Sequence, residues 1–150
     1  MRGTFNITFD RQSLKKFEAA CEAAIRNVNT GSKKATIEAC EEIMRNSKEQ
    51  VPKETQTLLM SAFYEVRQRG DVKGYKYEGI VGYGGNGNPV NPKSGLTAAE
   101  YMVVVHEDMS ATHPNGKAKF LEDPVRDYGA NNFKRTVFKS MQESLASMSD

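Results

Sequence analysis

The sequence has few cysteines, no long apolar segment and few large aliphatic side chains. Two cysteines, Cys21 and Cys40, are too few for a disulfide framework, so a cytoplasmic protein with reduced thiols is expected. The longest apolar run, Tyr101 to Val105, is far shorter than the ~18 residues of a membrane span. The first residues contain no apolar h-region, which predicts that no secretory signal is present.

The chain is nonetheless expected to fold. Leu, Ile, Val and Phe make up only 29 of its 150 residues, which is close to the level of disordered chains. Disorder also requires a high net charge, and here 21 basic and 19 acidic side chains leave only +2. We therefore expect a single domain over residues 1–150, with a small core that relies on neighbouring chains to complete its burial.

The N-terminal residues predict a strand and the start of a helix. Residues 4–9 alternate apolar and polar side chains, as on a half-buried strand. Asp10 or Ser13 is a suitable N-cap for the helix that follows. An apolar stripe then recurs at helical spacing and comprises Leu14, Phe17, Cys21, Ala24, Ile25 and Val28.

A break is predicted at residues 29–32, Asn-Thr-Gly-Ser, which combine breaker and capping residues. A second helix is predicted from Lys33 to about Lys48, with an apolar side of its own. The two stripes indicate a helical hairpin. Because Cys21 and Cys40 are nearly equidistant from the turn, we expect them to lie across from each other.

The second half of the chain changes to strand periodicity. Residues 58–66 predict a helical turn followed by a strand, and residues 75–83 predict another strand. Arg69 to Gly74 would join these two strands as a hairpin. Glu100 to Glu107, with its Val-Val-Val run, predicts a third strand. We expect one core face to contain Tyr101, Val103 and Val105, with Phe120 and Leu121 nearby.

Two loops and a C-terminal helical region complete the predicted elements. Residues 84–99 and 108–116 are rich in Gly, Pro and Asn and predict loops. Lys117 to about Met148 predicts helix, with a break at Tyr128-Gly129.

The order of elements segregates strands from helices and predicts an α+β fold. We expect a small antiparallel sheet of three to four strands, packed with an N-terminal helical hairpin and a C-terminal helix. Within the single domain, residues 1–50 would form the first strand and the hairpin. Residues 51–150 would form the sheet, the long loop and the last helix.

One glycine-rich motif suggests a nucleotide site and is better explained as a loop. Gly82 to Gly87 matches G-x-G-x-x-G after a predicted strand. A dinucleotide site also needs a helix beginning there, because the helix N-terminus binds the pyrophosphate. Asn88-Pro-Val-Asn-Pro92 follows instead and cannot begin a regular helix. A flexible loop is therefore favoured.

The histidines suggest a metal site only weakly. His106-Glu107 and His113 lack the H-E-x-x-H spacing, since the second histidine follows the first by seven residues rather than four. A solvated strand end is favoured, and we expect no catalytic residue, metal, cofactor or enzymatic activity. A metal-dependent enzyme that uses these three side chains stays open as an alternative, and it predicts stoichiometric zinc or manganese.

The C-terminal region carries several basic side chains interspersed with acidic ones, which is typical of a mixed solvated face. A small nucleic-acid-binding module is the alternative, and it predicts an affinity that falls steeply with salt. The basic residues are Lys117, Lys119, Arg126, Lys134, Arg135 and Lys139.

Four separated pieces of sequence occur in the order of a known family. They are V-P-K-E-T-Q-T-L at Val51–Leu58, I-V-G-Y at Ile80–Tyr83, E-Y-M-V-V-V-H-E at Glu100–Glu107 and H-P-N-G-K-A-K-F-L-E at His113–Glu122. Over about half the chain, this series resembles the tail-completion or neck proteins of long-tailed bacteriophages, also described as minor capsid or head–tail joining proteins. The series departs from the family at Gln56, where the family pattern has glycine.

The resemblance implies a structural virion protein without catalysis. Such proteins have α+β folds and form rings, commonly of six copies, between the portal–adaptor neck and the tail terminator or tail tube. DNA passes through the ring without being read, no membrane is involved, and assembly takes place in the host cytoplasm. A tail terminator that caps the tail tube is the alternative within the same particle.

For such a ring we expect the two loops and the start of the last helix to contact neighbouring subunits, and the loops to become ordered only in the particle. The candidate interface residues are Tyr83, Gly85, Asn88, Val90, Pro92, His106, Glu107, His113, Pro114, Lys117, Lys119 and Phe120.

Overall fold

A computed structural model of the chain describes residues 10–53, 56–71, 74–85, 87–110 and 115–147. Its elements are, in chain order, helices α1 (Arg11–Gln50) and α2 (Thr57–Ser61), strands β1 (Phe63–Asp71) and β2 (Gly74–Gly82), and helices α3 (Ala98–Glu107), α4 (Glu122–Asn131) and α5 (Phe133–Ala146).

The fold is mixed α+β, as the sequence predicts. Within the described residues its sheet has two antiparallel strands, so the three to four predicted strands are not confirmed. The strand predicted over residues 4–9 lies outside the described residues. No helix in the described ranges is both long enough and apolar enough to cross a membrane.

A single helix of 40 residues, α1, replaces the predicted helical hairpin. The N-cap prediction is confirmed, because the Asp10 carboxylate accepts hydrogen bonds from the backbone N–H groups of Gln12 and Ser13 at 2.8 and 3.0 Å. Asn-Thr-Gly-Ser at residues 29–32 does not break the helix. Its glycine is buried, and a Cβ there would lie 2.7 Å from the backbone oxygen of Ser140 in α5. Gly31 therefore allows close helix packing.

Because α1 is continuous, the two cysteines do not face each other. They are separated along one helix by roughly 28 Å, at 1.5 Å per residue. Cys21 is exposed and Cys40 is buried.

The predicted helical turn and hairpin are confirmed as α2, β1 and β2. The strand register runs from Phe63 opposite Gly82 to Asp71 opposite Gly74. A two-stranded hairpin is marginal alone, so its packing on α1 is essential. A Cβ at Gly79 would lie 2.5 Å from the Sγ of Cys40, which shows how closely the hairpin approaches the helix.

The predicted third strand is a helix, α3. Thr97 and Glu100 form a capping box in which each side chain accepts a hydrogen bond from the other residue's backbone N–H. On a helix, Tyr101 and Val105 lie four residues apart on one face, and Val103 no longer shares it: Val103 is 56% exposed, whereas Val105 is buried. The predicted common sheet face is therefore wrong.

The C-terminal region is helical, but its break lies at Asn132 rather than at Tyr128-Gly129. Tyr128 is buried inside α4, and its hydroxyl donates to the Oγ1 of Thr136 in α5 at 2.9 Å. This contact connects the two helices across the break. Both helices pack along α1, and α5 forms the larger contact.

The core lies where α1, the hairpin, α3 and the segment before α4 meet. Phe120 and Val51 are fully buried in it. Its buried members are Met44, Val51, Leu58, Ala62, Tyr83, Val105 and Phe120.

Candidate interaction surface

Residues from all four pieces of the bacteriophage-like series meet in this core. The Phe120 ring lies edge-on to Tyr83, with centroids 5.3 Å apart and planes at 81°. The series residues in or against the core are Val51, Leu58, Val81, Tyr83, Tyr101, Met102, Val105, Phe120 and Leu121. Residues of the series therefore contribute to core packing in this chain.

Tyr83 is a core residue with a satisfied hydroxyl. Its Oη lies 2.7 Å from the Oγ of Ser47, and both side chains are buried. Burial raises the pKa of Tyr83 to about 12, although the hydrogen bond from Ser47 opposes this shift. Tyr83 and Phe120 are thus buried core residues of the subunit.

His106 joins α3 to α4 through its Nε2, while its Nδ1 bonds to the neighbouring Glu107 of α3. The backbone N–H of Glu122, the first residue of α4, donates to Nε2 at 3.3 Å. This bond assigns Nε2 as the acceptor and the ring proton to Nδ1, which donates to Glu107 Oε1 at 2.7 Å. The ring also lies edge-on to Phe120, with centroids 5.1 Å apart. His106 therefore caps α4, whose own N-cap residue provides no side-chain bond.

Lys119 also connects the end of α3 with the start of α4. Its Nζ lies 2.6 Å from Glu107 Oε2 and 3.0 Å from Glu122 Oε2, and its backbone N–H donates to the His106 carbonyl at 3.0 Å. Hydrogen bonds to Glu107 and then to Glu122 raise the pKa of Lys119. Bonds from Lys119 and then His106 lower the pKa of Glu107. The structure thus brings these predicted interface residues into contact with one another within the subunit.

The geometry gives the metal-enzyme alternative no support. Both ring nitrogens of His106 have protein partners. Within the described ranges, no group of three His, Cys, Asp or Glu side chains is arranged to hold a metal ion. His113 and Pro114 lie outside the described residues.

Internal hydrogen bonds organise the long loop. Asn91 is buried, and its Oδ1 accepts from the backbone N–H groups of Lys93 and Ser94 at 2.9 and 3.3 Å. Asn88 Oδ1 accepts from the N–H of Ala99 at 2.9 Å. The described part of the loop is therefore built around two asparagines.

The same bonds weigh against a nucleotide site. Gly84 lies against the first turn of α3, since a Cβ there would be 2.7 Å from the Cβ of Ala99. The free N–H groups of a helix start would bind phosphate, but here Asn88 and Thr97 accept from them.

Of the remaining predicted interface residues, three are exposed and two are half-buried. Val90 is 58% exposed, and Pro92 and Lys117 are also exposed. Gly85 and Asn88 are half-buried.

Most of the predicted basic residues have acidic neighbours, which favours the mixed solvated face. Lys117 and Arg126 both contact Asp123, each at 2.6 Å. Lys139 lies 3.8 Å from Glu143, which also contacts Lys34 at 2.6 Å.

The largest exposed apolar side chains of the helices lie on α5 and on α1, where the sequence predicts an apolar stripe. Phe17 is 67% exposed, with Leu14 and Ile25 also exposed on the same stripe. Every residue from 11 to 22 is exposed, so the first part of α1 projects from the rest of the subunit. In α5, Phe138 is 65% exposed. The sequence shows the apolar stripe, but it does not show whether another element of the subunit covers it.

Comparison of the chain with protein-family models, with curated proteins and with solved structures finds no match in any of the three.

Proposed function

We propose that this chain is a structural protein of the neck of a long-tailed bacteriophage. In this proposal it forms a ring, commonly of six copies, that joins the DNA-filled head to the tail. The ring contacts the portal or adaptor proteins on one side and the tail terminator or tail tube on the other. DNA passes through its lumen without being read.

The observation that carries the proposal is the backbone at Gln56. The family pattern has glycine at this position, and Gln56 adopts φ 58°, ψ −1°, the left-handed conformation that glycine favours. The chain therefore keeps the turn that the family's glycine would make, although its side chain differs. This agreement supports the resemblance at a position where the series departs from the family pattern.

Exposed apolar surface supports a role in assembly. The core around Phe120 is closed within the subunit, whereas Phe17 and Phe138 are about two-thirds exposed on separate helices. Large apolar groups that one chain leaves uncovered are typical of subunits that complete their burial against other chains. A closed ring needs a head-to-tail contact between different surfaces of neighbouring copies.

Electron microscopy of lysates tests the proposal, using a phage from which this reading frame has been deleted. We expect full heads alongside separate, finished tails, and normal particles when the wild-type gene is supplied in trans. Heads bearing normal tails without the gene would overturn the proposal. Abnormally long tails would assign the chain to the tail terminator instead.

Complementation with surface variants separates an interface defect from a folding defect. Val90→Asp replaces an exposed loop residue of the predicted interface, and Met60→Asp replaces a similarly exposed residue outside it. We expect Met60→Asp to restore joined particles and Val90→Asp not to, with both purified proteins melting close to wild type. Equal rescue by both variants would exclude the loop from the joining surface.

A further inference from the structure

The projecting half of α1 carries a coiled-coil seam that no other element covers within the part of the chain that the structure describes. Leu14, Phe17, Cys21, Ala24 and Val28 follow one another at alternating steps of three and four residues. This spacing is that of the a and d positions of a heptad, which face a second helix. Phe17 is 67% exposed and Cys21 is also exposed, whereas Ala24 and Val28 are half-buried.

The same seam is covered where α1 continues toward its C-terminus. Its next positions are Gly31 and Ala35, and both are buried. There α5 packs so closely that a Cβ at Gly31 would lie 2.9 Å from the Cα of Met141. Helix α5 ends at Ala146. Toward the N-terminus of α1, past the end of α5, no other described element covers the seam, and we call this part the open seam. The open seam is thus the continuation of an existing helix–helix contact.

The charges along the open seam indicate what covers it. Residues 10–17 contain three cations, Arg11, Lys15 and Lys16, against the single carboxylate of Asp10. Residues 18–25 contain two carboxylates, Glu18 and Glu22, and no cation. The segment is therefore positive in its first half and negative in its second.

A second copy of this segment is complementary to the first only in antiparallel order. Antiparallel pairing places the cationic end of each helix beside the acidic half of the other, whereas parallel pairing aligns like charges. Glu22 already contacts Arg26 at 3.7 Å, but both side chains are largely exposed and such a pair exchanges partners at little cost.

We propose that the free protein dimerises through an antiparallel pairing of the projecting α1 segments, residues 11–28, about a two-fold axis. Leu14 of one copy then lies beside Ala24 of the other, and Phe17 beside Cys21. The seam is short, about 22 Å for fifteen helical residues. An interface of this length falls at the low end of size for specific interfaces, where weak and transient contacts are found, so we expect a weak dimer.

This inference does not rest on the proposed function. A two-fold contact uses the same surface on both copies and does not by itself close a ring. The dimer is therefore a property of the protein before assembly, and purified chain is sufficient to test it.

Sedimentation velocity of the full chain from about 2 to 200 µM is the first test, with two matched variants. Phe17→Ala removes the largest side chain of the open seam. Phe138→Ala removes an equally exposed phenylalanine from α5. We expect wild type and Phe138→Ala to dimerise alike, and Phe17→Ala to weaken dimerisation at least tenfold. A wild type that stays monomeric, or a dimer lost in Phe138→Ala but kept in Phe17→Ala, would overturn the proposal.

Cysteine crosslinking tests the antiparallel order. In a Cys21→Ser background, a Leu14→Cys chain is mixed with an Ala24→Cys chain and treated with a short bismaleimide. We expect the mixed crosslink to predominate over crosslinks within either variant alone. Predominant Leu14→Cys homodimers would indicate a parallel pairing and overturn the proposal.

Charge reversal tests the electrostatic argument. Glu18→Lys with Glu22→Lys should abolish dimerisation, and adding Lys15→Glu with Lys16→Glu should restore it. Unchanged dimerisation of the Glu18→Lys, Glu22→Lys variant would refute the proposed charge complementarity between the two helices.

The reactivity of Cys21 tests whether the chain covers its own seam. A monomeric wild type whose Cys21 resists maleimide would show that another part of the same chain covers the seam, and would also refute the proposal.

Discussion

Glycine-to-alanine substitutions at two helical positions should change stability in opposite directions. Gly31 lies inside α1 and Gly129 inside α4. Helix propensity alone predicts that alanine stabilises either helix by up to about 1 kcal/mol. The surroundings differ, however: nothing lies within 4 Å of a Cβ at Gly129, whereas a Cβ at Gly31 meets Ser140 backbone oxygen at 2.7 Å and Met141 Cα at 2.9 Å.

Backbone atoms cannot rotate away as the end of a side chain does, so Gly31→Ala must displace α5. Overpacking of this kind costs typically 1–3 kcal/mol. Subtracting a propensity gain of about 1 kcal/mol leaves a net destabilisation of up to about 2 kcal/mol for Gly31→Ala. Gly129→Ala keeps the propensity gain and should stabilise by about 0.5–1 kcal/mol.

Urea unfolding followed by circular dichroism measures both changes. It is done at low micromolar protein, where self-association contributes little. In a 150-residue chain each kcal/mol corresponds to a shift of about 2–4 °C in Tm, so thermal melts give a second measurement. Equal stabilisation by the two substitutions would refute the close packing of α5 on Gly31. It would also refute the explanation given above for why this glycine does not break α1.

Three further predictions concern single sites. Val103→Asp should change stability by no more than about 0.5 kcal/mol because Val103 is exposed. Val105→Asp should abolish cooperative unfolding because it buries an unpaired carboxylate. Equal melting curves of the two variants would contradict the helical assignment of α3. Gln56→Gly should stabilise by about 0.5–1 kcal/mol because it relieves a left-handed conformation, with Gln56→Ala near neutral as the control; a loss of stability would count against that turn. The pKa of Glu107 is lowered in the folded protein, so its ionised form stabilises the fold above the unfolded pKa of 4.5, and this stability is lost as the pH falls through the folded pKa. Lys119→Gln should therefore reduce the loss of stability between pH 7 and pH 3. An unchanged pH profile would refute the ion pair.

The error at α3 shows how local preference competes with capping. The Val-Val-Val run at residues 103–105 favours a strand, because β-branched side chains have high β propensity. Thr97 and Glu100, however, have the spacing of a capping box, and Tyr101, Met102 and Val105 lie at helical spacing. The capping box and the helical spacing are both present in the sequence. They outweigh the β propensity of the three valines once the helix buries one face on the core.

The candidate interface stays a prediction, but four of its residues are neighbours in the structure. The sequence brought His106, Glu107, Lys119 and Phe120 into one set, and they do lie together. The burial of His106 and Phe120 and the bonds of His106 and Lys119 to Glu107 depend on the end of α3 meeting the start of α4, which no local pattern predicts. The projecting stripe on α1 was read as core because periodicity identifies an apolar face but not the element that covers it.

Local sequence by itself determined the N-cap of α1, the β1–β2 hairpin, the helical C-terminal region and the apolar faces of the helices. Each of these depends on residues within a few positions of one another, or on a repeating spacing. Tertiary structure decided that α1 runs through Gly31, that α5 covers only part of the seam, and that the C-terminal break falls at Asn132. These outcomes depend on contacts between residues about a hundred positions apart, such as Lys34 with Glu143. Their energies arise only after the chain has brought the distant elements together.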